Sequence, residues 1–367
     1  MTTEKLCRWG ILGAANIARK NWDSIRHAEN ATLVAVASRS KLRAEEYIRE
    51  CQLVAPHPQT PEACTYEELL TRKDIDAVYI PLPTGIRKEW VIKSANAGKH
   101  ILCEKPCAPT VAELEEMLAA CRKNKVQFMD GVMFMHSDRL PLMRRALDES
   151  GKVGPIKRIH SQFSFLAQPE FMTSNIRASS DLEPLGALGD LGWYNTRFTL
   201  WAMNYEMPTH VTGRILTAGK RPDSSDDVPL EFSAEMWFPG GVSASYYCSF
   251  VTQIQQWANI SGSKGYLHID DFVLSSFGCE AAFELTTSNL DRLGCIYNMP
   301  RRTERIASPE YSNNHPTAQE TGLFRRFSRI VVTGRLEPQW ETIALATQKV
   351  VNACLESARN DGKKISL

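Results

Sequence analysis

The sequence predicts two domains of different class: an α/β domain over residues 1–130, built on a parallel sheet, and an α+β domain over residues 131–367 whose sheet is open and predominantly antiparallel, with helices on one face. Three observations predict it. The chain has 367 residues, and at ~100–200 residues per domain that length suits two cores. Up to Asp130, short apolar runs alternate with amphipathic stretches of helical length, the pattern of parallel strands joined by crossover helices. Beyond it, strand-like runs follow one another directly, separated by turn residues.

The elements of the first part are read in order. "CRWGIL" is a strand, followed by a helix from about Asn16; "TLVAVAS" and "DAVYIPL" are further strands, each followed by a helix, and "HILC", another helix and "VQFMD" complete the series. "TYEELL" places Glu68 three positions after Thr65, the spacing of a capping box. "PTVAELEEMLAACRKN" opens on Pro109, with acids early and bases late, as the helix dipole favours. In the second part "RLPLMRRALDES" is a helix leading to "GKVGPIKRIHSQFSFL". "HVTGRIL", "LEFSAEMWF", "VSASYYCSFV", "QWANISGS" and "GYLHIDDFV" then read as consecutive strands joined by turns such as "PGG" and "GSKG". "IYNMPRRTERIASPEYSNNHPTAQ" lacks periodicity and is expected to be a long surface loop, after which "ETGLFRRFSRIVV" and "WETIALATQKVVNACLESARN" are amphipathic helices. There is no internal repeat.

Composition narrows the function classes. With 43% hydrophobic and 23% charged residues, net charge +1 and no basic run, the chain is expected to bind neither nucleic acid nor an acidic membrane surface. The ten cysteines show no CxxC pairing or His spacing, so no metal site and no disulfide framework is expected, and a reducing compartment fits. "MTTEKLCRWGIL" lacks a signal-peptide pattern, and no run approaches the ~18 apolar residues of a membrane span. A cytoplasmic protein is expected.

"GAANIA" after the first strand puts Gly13, Ala15 and Ala18 at the three small positions of a dinucleotide-binding turn, G-x-G-x-x-[GA]. The first permits a tight turn, the second close approach of a pyrophosphate and the third helix packing, with helix N-terminal amides facing the phosphates. Ala15 departs from the pattern, and a strand–turn–helix without ligand remains the other reading. The second strand ends "ASRSKLR": where an acid would hold a ribose 2′-hydroxyl, Ser38 offers a hydroxyl and Arg39, with Lys41 or Arg43, offers positive charge suited to a 2′-phosphate. NADP is therefore expected, with NAD possible. "PLPTG" and "EKP" fall at carboxyl ends of parallel strands, where ligands of such sheets bind. The expected cofactor-binding set is Gly13, Ala15, Asn16, Ile17, Ser38, Arg39, Arg43, Leu82, Thr84, Arg87, Glu104 and Lys105.

Lys105 is also a candidate catalytic group, able to polarise a carbonyl or hydroxyl; a surface ion pair with Glu104 is the other reading. "GALGDLGWYNTR" opens a helix carrying Asp190 and, four residues on, Tyr194, on one helical face. A tyrosine of pKa ~10 is a poor base at neutral pH, but near an ammonium such as that of Lys105 it becomes a credible proton donor or acceptor.

"WGILGAANIA", "VAVASRS", "YIPLP", "AGKHILCEKP", "GDLGWY" and "ISGSKGYLHIDDF", in that order over most of the chain, resemble the glucose–fructose oxidoreductase / inositol dehydrogenase / rhizopine catabolism (Gfo/Idh/MocA) family. "AGKHILCEKP" is the most specific of these matches. The text around "GALGDLGWY" and "PLP…EW" is similar to members near sugar ketoreductases and dihydrodiol dehydrogenases. The resemblance implies an N-terminal Rossmann domain, a C-terminal sheet that mediates a homodimer or higher homo-oligomer, and hydride transfer between nicotinamide and a hydroxyl or ketone of a sugar or sugar-like polyol. It implies Lys105, Tyr194 and Asp190 as the catalytic residues, with Arg177 and Trp193 as further substrate-pocket residues. Inositol dehydrogenase-like members carry His where this chain has Tyr194, so a ketoreductase-like site is expected. Similar members read "PLPxxxHxxW" where this chain has Arg87 in "PLPTGIRKEW", a cation suited to a phosphate or an anionic substrate. Two other functions remain open on the sequence: a dinucleotide-binding regulatory protein without turnover, and a member that recycles bound cofactor without net redox change.

Overall fold

The computed structural model describes residues 5–276 and 278–367. These divide into two compact units, the first made of Met1–His136, Asp181–Pro184 and Ser312–Gln348, the second of Ser137–Ser180, Leu185–Tyr311 and Lys349–Leu367.

The first unit holds strands β1 (Cys7–Leu12), β2 (Ala31–Ala37), β3 (Glu62–Cys64), β4 (Ala77–Ile80), β5 (His100–Cys103) and β6 (Phe128–Asp130). Between them run helices α1 (Asn16–His27), α2 (Lys41–Val54), α3 (Tyr66–Thr71), α4 (Thr84–Asn96) and α5 (Val111–Lys123). All strand pairs are parallel, in the order β3-β2-β1-β4-β5-β6. The expected alternation is therefore present, as the Rossmann arrangement. β3, three residues at the sheet edge, escapes sequence reading because it is too short to show a period. The order reverses between β1 and β4, so the carboxyl ends of these two strands flank the crevice where ligands of open α/β sheets bind.

Local signals hold in detail at α3, where Thr65 Oγ1 accepts from the Glu68 N–H at 3.2 Å and Glu68 Oε2 accepts from the Thr65 N–H at 2.8 Å, the reciprocal pair of a capping box. At α5 the start differs: Thr110 is the cap, accepting from the Glu113 N–H at 3.3 Å, and Pro109 lies outside the helix. A hydroxyl that satisfies an orphan amide outweighs a proline's fixed φ.

Helix α9 (Gln319–Thr333) closes the first unit, although it follows the second sheet in sequence. Its Phe324 and Phe327 pack on Trp9 of β1 with ring centroids 5.0 and 5.1 Å apart. The Trp9 indole donates to Ser328 Oγ at 2.9 Å, so the one polar atom of a fully buried ring is satisfied.

The second unit is built on β7 (Ile156–Leu166), β8 (His210–Gly219), β9 (Val228–Trp237), β10 (Ser243–Ser249), β11 (Val251–Gln255), β12 (Ala258–Gly262), β13 (Tyr266–Ile269), β14 (Glu280–Ser288), β17 (Arg301–Pro309) and β18 (Ile365–Ser366). The order is β17-β14-β13-β12-β7-β10-β9-β8-β18, with β11 alongside β7. Every pair is antiparallel except β7–β10. The helices here are α6 (Arg139–Asp148), the short α7 (Phe171–Ser174), α8 (Trp193–Ala202) and the end of α10 (Gln339–Arg359). α8 packs on β7 and β10. α10 comes so close to β8 that a Cβ at Gly213 would lie 2.2 Å from the Cys354 carbonyl oxygen, which only glycine tolerates.

The expected long loop is a correction. Residues 296–309 include β16 (Ile296–Asn298), paired with β15 (Asp291–Leu293), and β17, which pairs with β14 from Ser288↔Arg301 to Glu280↔Pro309. β17 is the sheet edge, and Arg301, Arg302, Glu304 and Arg305 on it are the charges that suit an exposed edge and hide the alternation in the sequence.

Truncating Phe324 to alanine removes the wholly buried partner of Trp9 and is expected to destabilise the first unit by about 3–5 kcal/mol. Leu53→Ala, at a side chain 81% exposed, should stay within about 0.5 kcal/mol. Chemical denaturation followed by tryptophan fluorescence measures both, and equal midpoints would contradict the packing described.

Candidate active site

Gly13 follows β1 with φ +134°, a conformation that glycine adopts without steric cost. Its N–H donates to the Ala37 carbonyl at 3.0 Å, and a Cβ there would meet Leu82 Cδ2 at 2.9 Å. The ends of β1, β2 and β4 thus converge on one glycine. Ala15 is the N-cap of α1, extended at φ −94°, ψ 156°, and its methyl is accommodated without strain. The cap has no side-chain acceptor and the first turn no acid, which leaves the amide end of α1 suited to an anion. Asn16 and Ile17 are exposed beside it, while Ala18 is buried against the sheet.

Beyond β2, Ser38 is buried, its N–H bonded to the Cys64 carbonyl at 3.1 Å. Arg39, Lys41 and Arg43 are all exposed. No ion pair engages any of the three among the described residues, and the segment carries no acid. A cluster of exposed cations at this strand end suits a phosphate on the ribose.

The loop after β5 is braced from several sides. The Glu104 N–H donates to the Ile80 carbonyl at 3.2 Å, its Oε1 accepts from the Tyr79 hydroxyl at 2.6 Å, and its Oε2 accepts from the Lys105 backbone N–H at 3.1 Å. Burial, and then the negative charge of Glu104, push the Tyr79 phenol well above its ordinary pKa, so it remains a neutral donor to the carboxylate. The Lys105–Pro106 peptide is cis, and Lys105 is half-buried.

Two of the expected cofactor contacts, Arg87 and Thr84, have protein partners of their own. Arg87, 2% exposed, donates Nε to the Leu82 carbonyl at 2.9 Å and Nη1 to the Glu104 carbonyl at 2.8 Å, with further bonds from Nη1 to the Pro106 carbonyl and Nη2 to the Leu82 carbonyl. The guanidinium is thus engaged by the chain's own backbone. Thr84, also buried, donates its N–H to Glu183 Oε1 at 3.1 Å and its hydroxyl to Oε2 at 2.5 Å. The carboxylate caps the first turn of α4. Leu82 contributes its side chain to the glycine turn and its carbonyl to Arg87.

In the second unit, Asp190 lies in a π-helical turn, Leu188–Gly192, that leads into α8; such turns are frequent at functional sites. Arg177 Nε approaches Asp190 Oδ2 at 2.7 Å, joining two residues that the sequence places in separate segments. Tyr194, 6% exposed, meets Phe163 edge-on with centroids 5.7 Å apart. Asn195 Nδ2 donates to Ser161 Oγ at 2.9 Å, fixing α8 to β7. Trp193 is wholly buried. Tyr79, Glu183 and Phe163 were missed in the sequence because apolar runs and a loop acid carry no spacing that marks a partner.

Comparison with known proteins accords with this architecture. The family model described as "Oxidoreductase family, NAD-binding Rossmann fold" matches residues 7–132, and the GFO/IDH/MocA C-terminal domain matches residues 142–268. The dTDP-3,4-didehydro-2,6-dideoxy-alpha-D-glucose 3-reductase of Saccharopolyspora spinosa is 30% identical over 269 residues, 72% of this chain and 75% of the relative. The trans-1,2-dihydrobenzene-1,2-diol dehydrogenase of Mus musculus is also 30% identical over 269 residues, 71% of this chain and 74% of the relative. Among solved structures, a 3-ketoreductase from Actinomadura kijaniata in complex with NADP and TDP-benzene has a TM-score of 0.76 at 24% identity, covering 96% of this chain and 98% of that one. With a parallel sheet reversing its order at a glycine turn, an EKP lysine beyond β5, and two domain matches in the expected sequence, the chain belongs to the GFO/IDH/MocA family of NAD(P)-dependent oxidoreductases.

Proposed function

We propose that the protein transfers hydride between NADP(H) and a hydroxyl or ketone carbon of a sugar or sugar-like polyol, with Lys105 and Tyr194 as its electrostatic and acid–base pair. The observation that carries the proposal is the placement of a half-buried lysine on a braced loop beyond β5, at the same sheet edge as the glycine turn. The names of two relatives, a keto-sugar reductase and a cyclic-diol dehydrogenase, support the substrate class. The NADP of the Actinomadura protein supports the cofactor.

The residues present fit a dinucleotide. The uncapped amide end of α1 suits its pyrophosphate, and Arg39, Lys41 and Arg43 suit a 2′-phosphate. Nicotinamide, when bound, supplies the hydride donor or acceptor. In alcohol oxidation the C–H electron pair leaves as hydride and the O–H proton passes to the Tyr194 phenolate, which the Lys105 ammonium stabilises. In ketone reduction Tyr194 returns the proton to the substrate oxygen. Asp190, anchored by Arg177, orients the start of α8, from which Tyr194 projects. The regulatory reading without turnover is not favoured, since both reacting groups are present.

The proposal extends to a cytoplasmic homodimer formed through the second sheet. Trp237, at the end of β9 and stacked on His210, and Trp257, just before β12 and tilted against His160, are half-buried, and half-buried aromatics of this kind are enriched at interfaces.

Light scattering should give about twice the 41.3 kDa chain mass, and a monomer at micromolar concentration would contradict the dimer. Replacing Arg39 by Asp is expected to raise the KM for NADPH by about 10–100-fold, the value of one charge-assisted contact, with little change for NADH; equal effects would remove the 2′-phosphate assignment. Lys105→Met and Tyr194→Phe should each lower kcat by about 10²–10⁴-fold with little change in coenzyme binding, assayed by NADPH absorbance against aldoses, ketosugars and cyclic diols. Full activity in both variants would exclude the mechanism.

A further inference from the structure

Arg87 is a fully charged side chain in a place that nothing about its helix explains. It lies in the first turn of α4, where a cation opposes the helix dipole, and it is 2% exposed. No carboxylate pairs with it among the described residues; its partners are the carbonyl oxygens of Leu82, Glu104 and Pro106. A guanidinium has five N–H groups, and four of Arg87's are donated to these three carbonyls, which leaves no fork for a phosphate. Two of those carbonyls belong to the residues immediately before and after Lys105, and the Lys105 N–H is itself held by Glu104 Oε2 at 3.1 Å. The third carbonyl, of Leu82, belongs to the residue whose side chain contacts the glycine turn.

We propose that Arg87 is a positioning residue: it clamps the peptide groups on both sides of Lys105, and so sets the direction of the ammonium, while tying that loop to the end of β4. A guanidinium suits this task because a planar fork of charged donors fixes several acceptors at defined angles, which a lysine or a neutral imidazole does not. The role rests on the assignment of Lys105 to hydride transfer, since a misplacement of about 1 Å in a reacting group costs on the order of 10²-fold in rate.

The test compares Arg87→Met and Arg87→Lys with the native protein. Three quantities are measured: kcat, the NADPH dissociation constant by fluorescence titration, and the rate at which acetic anhydride acetylates Lys105, read peptide by peptide by mass spectrometry between pH 7 and 10. Arg87→Met is expected to lower kcat by about 10²-fold and to change the pH profile of Lys105 acetylation while other lysines keep theirs, with NADPH affinity held within about threefold. Arg87→Lys, which keeps the charge but not the fork, should recover only part of kcat, and it carries the test if the methionine variant does not fold. A tenfold loss of NADPH affinity with kcat unchanged would make Arg87 a coenzyme ligand and overturn the proposal. A drop in melting temperature with kcat and Lys105 acetylation both unchanged would make it merely structural and do the same. If the native protein reduces or oxidises no substrate, the hydride-transfer reading fails, while the acetylation profile still decides whether Arg87 controls Lys105.

Discussion

The reversal of strand order between β1 and β4 is the constraint on which the first unit's chemistry depends. Because β2 lies on one side of β1 and β4 on the other, the chain leaves the sheet in opposite directions after these strands, and their carboxyl ends stay open. Gly13 occupies this gap, where a Cβ would lie 2.9 Å from Leu82 Cδ2. Beyond β5 the same edge carries Lys105, and the atoms around it are directed at backbone rather than at solvent: Tyr79 holds Glu104, Glu104 holds the Lys105 N–H, and Arg87 holds the neighbouring carbonyls. Burying a carboxylate and a guanidinium is costly unless each is hydrogen-bonded, and here both are.

Charge is distributed differently at the two ends of the crevice. At the β2 end the cations are exposed, suited to an anionic ligand, whereas at the β4 end the Thr84 N–H and hydroxyl already meet Glu183. One helix terminus is left for an anion and the other is filled by the chain. That asymmetry gives the dinucleotide reading a direction, with phosphate and ribose toward β2 and Lys105 toward β5.

Much of this was legible in the sequence because it rests on period and spacing. Alternation located five of the six strands, Thr65 and Glu68 predicted a capping box, and the small residue before α1 marked the turn. What was not legible depends on contacts between distant residues. β3 is too short to show a period, β17 hides its pairing behind edge charges, and α9 returns to the first unit only because Phe324 and Phe327 find Trp9. Arg87 is the sharpest case: nothing in its residue type points to the Leu82, Glu104 and Pro106 carbonyls, because the identity of a cation's partner is a property of tertiary structure. The pairing of Arg177 with Asp190 was equally hidden, since no local pattern links a short loop helix to a π-turn.

Hydrogen exchange with and without saturating NADPH tests the central claim most directly, because it locates the ligand without requiring a substrate. The account predicts slowed exchange in peptides spanning Gly13–Ile17, Ser38–Arg43 and Glu104–Lys105, at the carboxyl edge of the first sheet. Protection confined to other surfaces, such as the outer face of α2 beside β3, or no protection at all, would contradict it.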